Sequence, residues 1–140
     1  MNKTAIVYWS GTGNTEAMAK KAEEGARAAG ADVTVYTAAD FAPSLADSFD
    51  TIAFGCPAMG SEVLEEDEFE PMFSDTESRL SGKKIALFGS YGWGDGEWMR
   101  DWEDRCRKDG AVFLCDSVIC SEEPDEEALE ACLALGRSLA

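Results

Sequence analysis

The feature that most constrains this chain is the regular exchange between two apolar periodicities. Ala5-Ile6-Val7-Tyr8-Trp9 is a continuous apolar run, as a strand buried on both faces requires. In residues 14–29, Met18, Ala22, Ala26 and Ala29 then share one helical face, and Gly30 supplies the stop. Val33 and Val35 alternate with Asp32 and Thr34 in a second strand, and a weak helical patch covers 41–47. Residues 50–55 form a third strand. Phe69, Met72 and Phe73 follow on a helix with Pro71 near its start. Residues 83–89 form the fourth strand, and Trp98, Met99, Trp102 and Cys106 share the face of the next helix. A fifth strand spans 111–119. Pro124 opens a last helix with Leu129, Cys132, Leu133 and Leu139 inward. Five strands alternating with helices predict an α/β fold with parallel pairing and right-handed crossovers. A length of 140 residues suits one domain spanning 1–140.

Open parallel sheets bind ligands beyond the carboxyl ends of their strands, where the strand order reverses. Three strand exits have unusual sequences here: 10–15, 56–62 and 90–95. The first reads Ser10-Gly11-Thr12-Gly13-Asn14-Thr15-Glu16. Gly11 and Gly13 let consecutive amides turn toward an anion, a helix N-terminus follows, and Ser10, Thr12, Asn14 and Thr15 add side-chain donors. With no Lys or Arg it is not a nucleotide P-loop. Glu16, where a third glycine would fall, separates it from the dinucleotide fingerprint. A terminal monophosphate held by neutral donors fits, and a plain helix cap is the simpler alternative.

The second exit, Pro57-Ala58-Met59-Gly60-Ser61-Glu62, carries a thioether beside glycine, suited to packing on a flat ring. The third, Ser90-Tyr91-Gly92-Trp93-Gly94, places a large aromatic among glycines. Met59 and Trp93 could sandwich a planar ring, with Glu62 accepting from a ring imide N–H. Core packing of Met59 and Trp93, and a solvated acidic face running from Glu62 to Glu70, are the alternatives.

The formal charge is −16, from 28 acidic and 12 basic residues. Such a field repels nucleic acid and anionic lipid and favours partners with basic docking surfaces. The chain has no His, which removes Ser-His and Cys-His catalysis and His-ligated zinc. Its five cysteines include no CxxC pair and read as reduced, mostly buried thiols. No apolar run reaches membrane-span length and no signal peptide is visible, so a cytoplasmic location is expected.

These motifs resemble the flavodoxins, especially the short-chain ones of anaerobic bacteria. The likeness runs through 6–16, 56–62, 87–94 and Gly96-Glu97-Trp98-Met99, in order, and covers essentially the whole chain. The fifth strand lacks the insertion of long-chain members. The resemblance implies a five-stranded sheet of order 2-1-3-4-5 with helices on both faces, an order for which flavodoxins are the standard example. It implies that the cofactor is FMN, its phosphate on Ser10, Gly11, Thr12, Gly13, Asn14 and Thr15. Its ring would lie among Pro57, Ala58, Met59, Gly60, Ser61, Glu62, Ser90, Tyr91, Gly92, Trp93 and Gly94. Pro57 stands where some relatives carry Ser, and Ser61 where some carry Asp.

The function implied is low-potential one-electron transfer, cycling FMN between semiquinone and hydroquinone. The partners implied are redox proteins of the ferredoxin-dependent oxidoreductase type, met by a monomer. No side chain need act as a catalytic acid or base. A flavin reductase on the same fold and a non-redox regulatory domain are the rival readings.

Overall fold

A computed structural model describes residues 2–60, 62–92 and 94–140. Strands β1 (Lys3–Tyr8), β2 (Asp32–Thr37), β3 (Thr51–Gly55) and β4 (Lys84–Tyr91) pair in parallel in the order β2-β1-β3-β4. The fifth position beside β4 is shared by two short strands, β5 (Val112–Phe113) and β6 (Val118–Ser121). The strand order matches the one expected, but the single fifth strand over 111–119 is corrected. The polar pair Asp116-Ser117 interrupts the run, and Ser117 Oγ donates to Glu103 Oε2 at 2.7 Å. β4 also runs two residues further than expected. Ser90 and Tyr91 are therefore strand residues paired with Cys120 and Ser121.

Helices α1 (Asn14–Ala28), α2 (Phe69–Thr76), α3 (Glu97–Lys108) and α4 (Glu126–Ser138) cover both faces. Strand alternation sends Ala5, Val7, Ile52, Phe54, Ile85 and Leu87 to the α2–α3 side. Ile6, Ala53, Ala86 and Phe88 face α1 and α4. The first core is aromatic. Phe69 and Phe73 each meet Trp102 edge-on with ring centroids 5.4–5.7 Å apart, a geometry that adds about 0.5–1.5 kcal/mol per pair beyond area burial. The second is built from small residues. Gly25 of α1 faces the Leu133 carbonyl and Gly136 of α4 faces the Ala22 carbonyl, so the two helix backbones nearly touch.

Three details of the helical reading change. The patch at 41–47 is a 3-10 helix over Pro43–Ser48, preceded by a 3-10 turn at Ala38–Asp40. α4 is capped by Asp125, whose carboxylate accepts from Ala128 N at 2.8 Å, with Pro124 just outside. Its buried face is Ala128, Cys132, Leu135, Gly136 and Leu139, with Leu129 and Leu133 only half-buried. All five cysteines are free thiols. Burial pushes Cys106 and Cys132 up to about 12 and Cys120 to about 11, which suppresses thiolate chemistry at neutral pH.

Candidate cofactor site

The loop after β1 is organised by Ser10. Its Oγ accepts from Gly13 N at 3.1 Å and Glu16 N at 3.2 Å, which leaves its own proton free. Gly13 is the N-cap of α1 with φ 96°, a left-handed conformation that a Cβ would strain. Among the described residues, no protein acceptor takes the amides of Gly11, Thr12, Asn14 or Thr15. Four unpaired amides and four neutral side-chain donors thus gather at the start of a 15-residue helix, where backbone groups and dipole favour an anion.

The strand exits enclose a cavity of about 310 Å³ at this edge. Ser10, Gly11, Thr12, Asn14 and Thr15 line one end of it. Pro57, Ala58 and Met59 come from the second exit, and Ser90, Tyr91 and Gly92 from the end of β4. Buried hydroxyls tie the parts together, Thr15 Oγ1 lying 3.3 Å from Ser90 Oγ. Gly89 lets Cys56 cross β4 closely, since a Cβ there would run into the Cys56 carbonyl. Trp98 Nε1 donates to that same carbonyl at 3.2 Å, and Tyr91 packs on Trp98.

Gly13, Gly60, Glu62 and Gly94, expected at the site, do not line this cavity. Ser61 and Trp93 lie outside the described residues. The second exit closes as a tight turn, with Glu62 N donating to Met59 O at 2.8 Å and Met59 N to Val63 O at 2.9 Å. Among the described residues of this turn Glu62 is left-handed, at φ 52°, and Gly60 has open space around it. The Glu62 carboxylate lies against Gly94, and it holds the Glu97 carboxyl above the usual range. Among the described residues, Glu62 Oε1 is buried without a hydrogen-bond partner. An orphaned acceptor at this loop suits an incoming imide N–H.

Two lining residues escaped the reading of the sequence. Trp9 packs its ring against Gly11 and donates from Nε1 to Glu68 Oε1 at 2.9 Å. Its neighbours mark it as strand core, and only its place at the strand's end points to the site. Glu122 follows β6 at φ 58° and donates its amide to Tyr91 O at 2.7 Å. Nothing local marks it, because it enters the site only through β6 pairing with β4.

The acidic stretch beside the cavity is not uniformly a solvated face. Glu65 is 4% exposed and accepts from the amides of Asp67, Glu68 and Phe69 at 2.7–2.8 Å. It anchors the start of α2. Burial alone pushes its pKa up, but the three amides outweigh this and hold it below the usual carboxylate range. Its stabilisation is therefore complete above the unfolded value of about 4.5 and is lost as pH falls through the lower folded value. Glu65→Gln keeps one acceptor oxygen and turns an NH₂ toward a donor. It is expected to cost about 2 kcal/mol at pH 7. The gap from wild type should narrow toward pH 3 in urea denaturation. An equal midpoint at pH 7 would refute the capping role.

Together the sheet order, the reversal between β1 and β3, and the neutral donor-rich loop define a doubly wound α/β protein with a cavity of about 310 Å³ at its strand exits. A profile of the Flavodoxin family matches residues 6–136. The chain is 48% identical to the flavodoxin of Clostridium beijerinckii, over 96% of this chain and 97% of that one. It is 49% identical to the flavodoxin of Megasphaera elsdenii, over 96% of each. The solution structure of the two-electron reduced Megasphaera elsdenii protein superposes with a TM-score of 0.89, covering 97% of each chain. The chain belongs to the flavodoxin family. It is an FMN-binding electron carrier and not an enzyme.

Proposed function

We propose that the protein passes single electrons at low potential between protein partners, with FMN held non-covalently in the cavity between the three strand exits. The observation that carries this reading is the set of amides at the head of α1 that, among the described residues, have no protein acceptor, with neutral side-chain donors and no Lys or Arg beside them in the cavity lining. That donor set suits a phosphate monoester and not a nucleoside triphosphate with its metal. Bound FMN supplies the redox chemistry, and the chain supplies binding, orientation and exclusion of water.

Ser10, Thr12, Asn14 and Thr15 hold the phosphate, helped by the amides of Gly11 and by the turn at Gly13. Met59 covers one face of the ring and Trp93 the other, with Pro57 and Ala58 beside Met59. Glu62 takes the imide N–H, which would satisfy its orphaned oxygen. Gly60, Ser61, Ser90, Tyr91, Gly92 and Gly94 contribute backbone or edge contacts. The protein acts as a single-domain monomer in the cytoplasm. Its partners are oxidoreductases of the ferredoxin-dependent type with basic docking surfaces. Among the described residues no helix is long and apolar enough to cross a membrane.

Stepwise reduction of the FMN-loaded protein, followed by visible spectroscopy, tests the reading. Separate one-electron and two-electron stages are expected. A protein that stays colourless in excess FMN would refute it.

The low potential has an electrostatic source that can be titrated by mutation. Glu66 and Asp67 are exposed and, among the described residues, their carboxylates take no hydrogen bond, whereas Glu65 caps α2 and must be left intact. Removing one charge about 10 Å from the ring, at an intermediate dielectric of ~40, is worth roughly 35 mV for one electron. Glu66→Gln with Asp67→Asn should raise the lower midpoint potential by up to twice that at low ionic strength, and by less in 0.5 M salt. Potentiometry showing no change at low salt would count against field control by this segment.

A further inference from the structure

A larger cavity, of about 690 Å³, lies beside the cofactor cavity, between β6 and α4. It exists for two local reasons. The break between β5 and β6 leaves the sheet edge uneven, and three of the α4 residues that face it, Ala128, Ala131 and Ala134, are small. Its floor is apolar, with Val118, Leu135 and Ile119, the last 39% exposed. Its charged lining is of one sign: Asp116, Glu123, Asp125 and Glu127, with no Lys or Arg. Tyr91 lines both this groove and the cofactor cavity.

We propose that this groove is where a redox partner docks, inserting a segment in which Lys or Arg side chains flank an apolar residue. The inference rests on the electron-carrier reading and specifies the surface it uses. Charge complementarity selects the occupant, because four carboxylates around an apolar floor repel one another until cations arrive. A second copy of this chain would bring its own charge of −16 to the same place. Nucleic acid and anionic lipid are repelled for the same reason. Continuity selects the place, because an occupant touching Tyr91 is one side chain from the cofactor cavity.

The test uses the FMN-loaded, reduced protein and cytochrome c, a basic haem protein, as electron acceptor. One electron leaves the reduced flavin and converts ferric haem iron to ferrous. Glu123→Lys with Glu127→Lys reverses two groove charges. Asp125 is left intact because it caps α4. Asp32→Lys with Asp75→Lys makes the same change in net charge far from the groove, at exposed residues. Ala134→Trp fills the groove without changing charge.

In stopped-flow measurements the groove pair should slow the second-order reaction about tenfold more than the remote pair. Ala134→Trp should slow it several-fold, with FMN spectra and midpoint potentials unchanged. Equal slowing by both charge pairs, or no effect of Ala134→Trp, would overturn the proposal. Amide shifts of Val118, Ile119 and Ala131 on adding cytochrome c to the oxidised, FMN-loaded protein report docking separately from redox function. Shifts there without electron transfer would sink the carrier reading and keep the groove. Electron transfer without shifts there would do the reverse.

Discussion

Replacing Gly136 with alanine should destabilise this protein by about 3 kcal/mol, although the same change in an exposed helix stabilises by about 1 kcal/mol. The sign reverses because of what lies opposite. A Cβ on Gly136 would fall well inside contact distance of the Ala22 carbonyl oxygen and 2.9 Å from Ala26 N. These are backbone atoms of a helix, which cannot rotate away as a side chain does. α1 and α4 would have to separate, loosening the packing of Met18, Ala22, Ala26, Cys132, Leu135 and Leu139 on the sheet. Gly25→Ala should act similarly, since its Cβ would meet the Leu133 carbonyl. Both residues sit in the same helix crossing, so the double variant should cost less than the sum. A domain of this size has roughly 5–15 kcal/mol to lose, so either single change should be plain in urea denaturation. FMN affinity of the folded fraction should hardly change, because the loop at the head of α1 is remote from the crossing. A midpoint at or above wild type would show that the helices can part freely.

The second large effect is expected from the cofactor's phosphate. Riboflavin should bind roughly 10²–10⁴-fold more weakly than FMN, for two or more charge-assisted hydrogen bonds lost at about 1.5–3 kcal/mol each. Thr12→Ala or Asn14→Ala should weaken FMN about tenfold or more and leave riboflavin nearly unaffected. The loop has no cation and the chain carries −16, so added salt screens repulsion of the phosphate dianion. FMN binding should therefore tighten modestly with ionic strength, opposite to a lysine-bearing phosphate loop. Fluorescence titration of both ligands across a salt series checks this. Equal affinities for FMN and riboflavin would remove the phosphate role.

Much of this was legible along the chain. The apolar runs at 5–9, 50–55 and 83–89 and the helical faces between them depend only on neighbours within one or two turns, so periodicity exposes them. The donors of 10–15 were legible because anion binding at a helix start uses consecutive amides, and consecutive residues are what a sequence shows. The burial of Trp98, Met99, Trp102 and Cys106 followed from the same local rule.

Other features depend on atoms far apart in the chain. Glu65 looked like one acid among six, and its role as a cap appears only once the turn before α2 brings three amides to it. Trp9 reads as core by its neighbours, yet Glu68 reaches its indole from 59 positions away. Gly25 and Gly136 have no local signature, because each answers to a backbone carbonyl on another helix. The fifth strand looked continuous because Leu114 and Cys115 are apolar, but pairing with β4 resumes only at Val118. The sequence alone determined the order of elements and the run of donors at the head of α1, whose physics is short-range. The tertiary structure alone decided which acids are structural, where helices may touch, and that a groove opens beside the cofactor cavity. Each of those is set by a partner whose distance in space bears no relation to its distance along the chain.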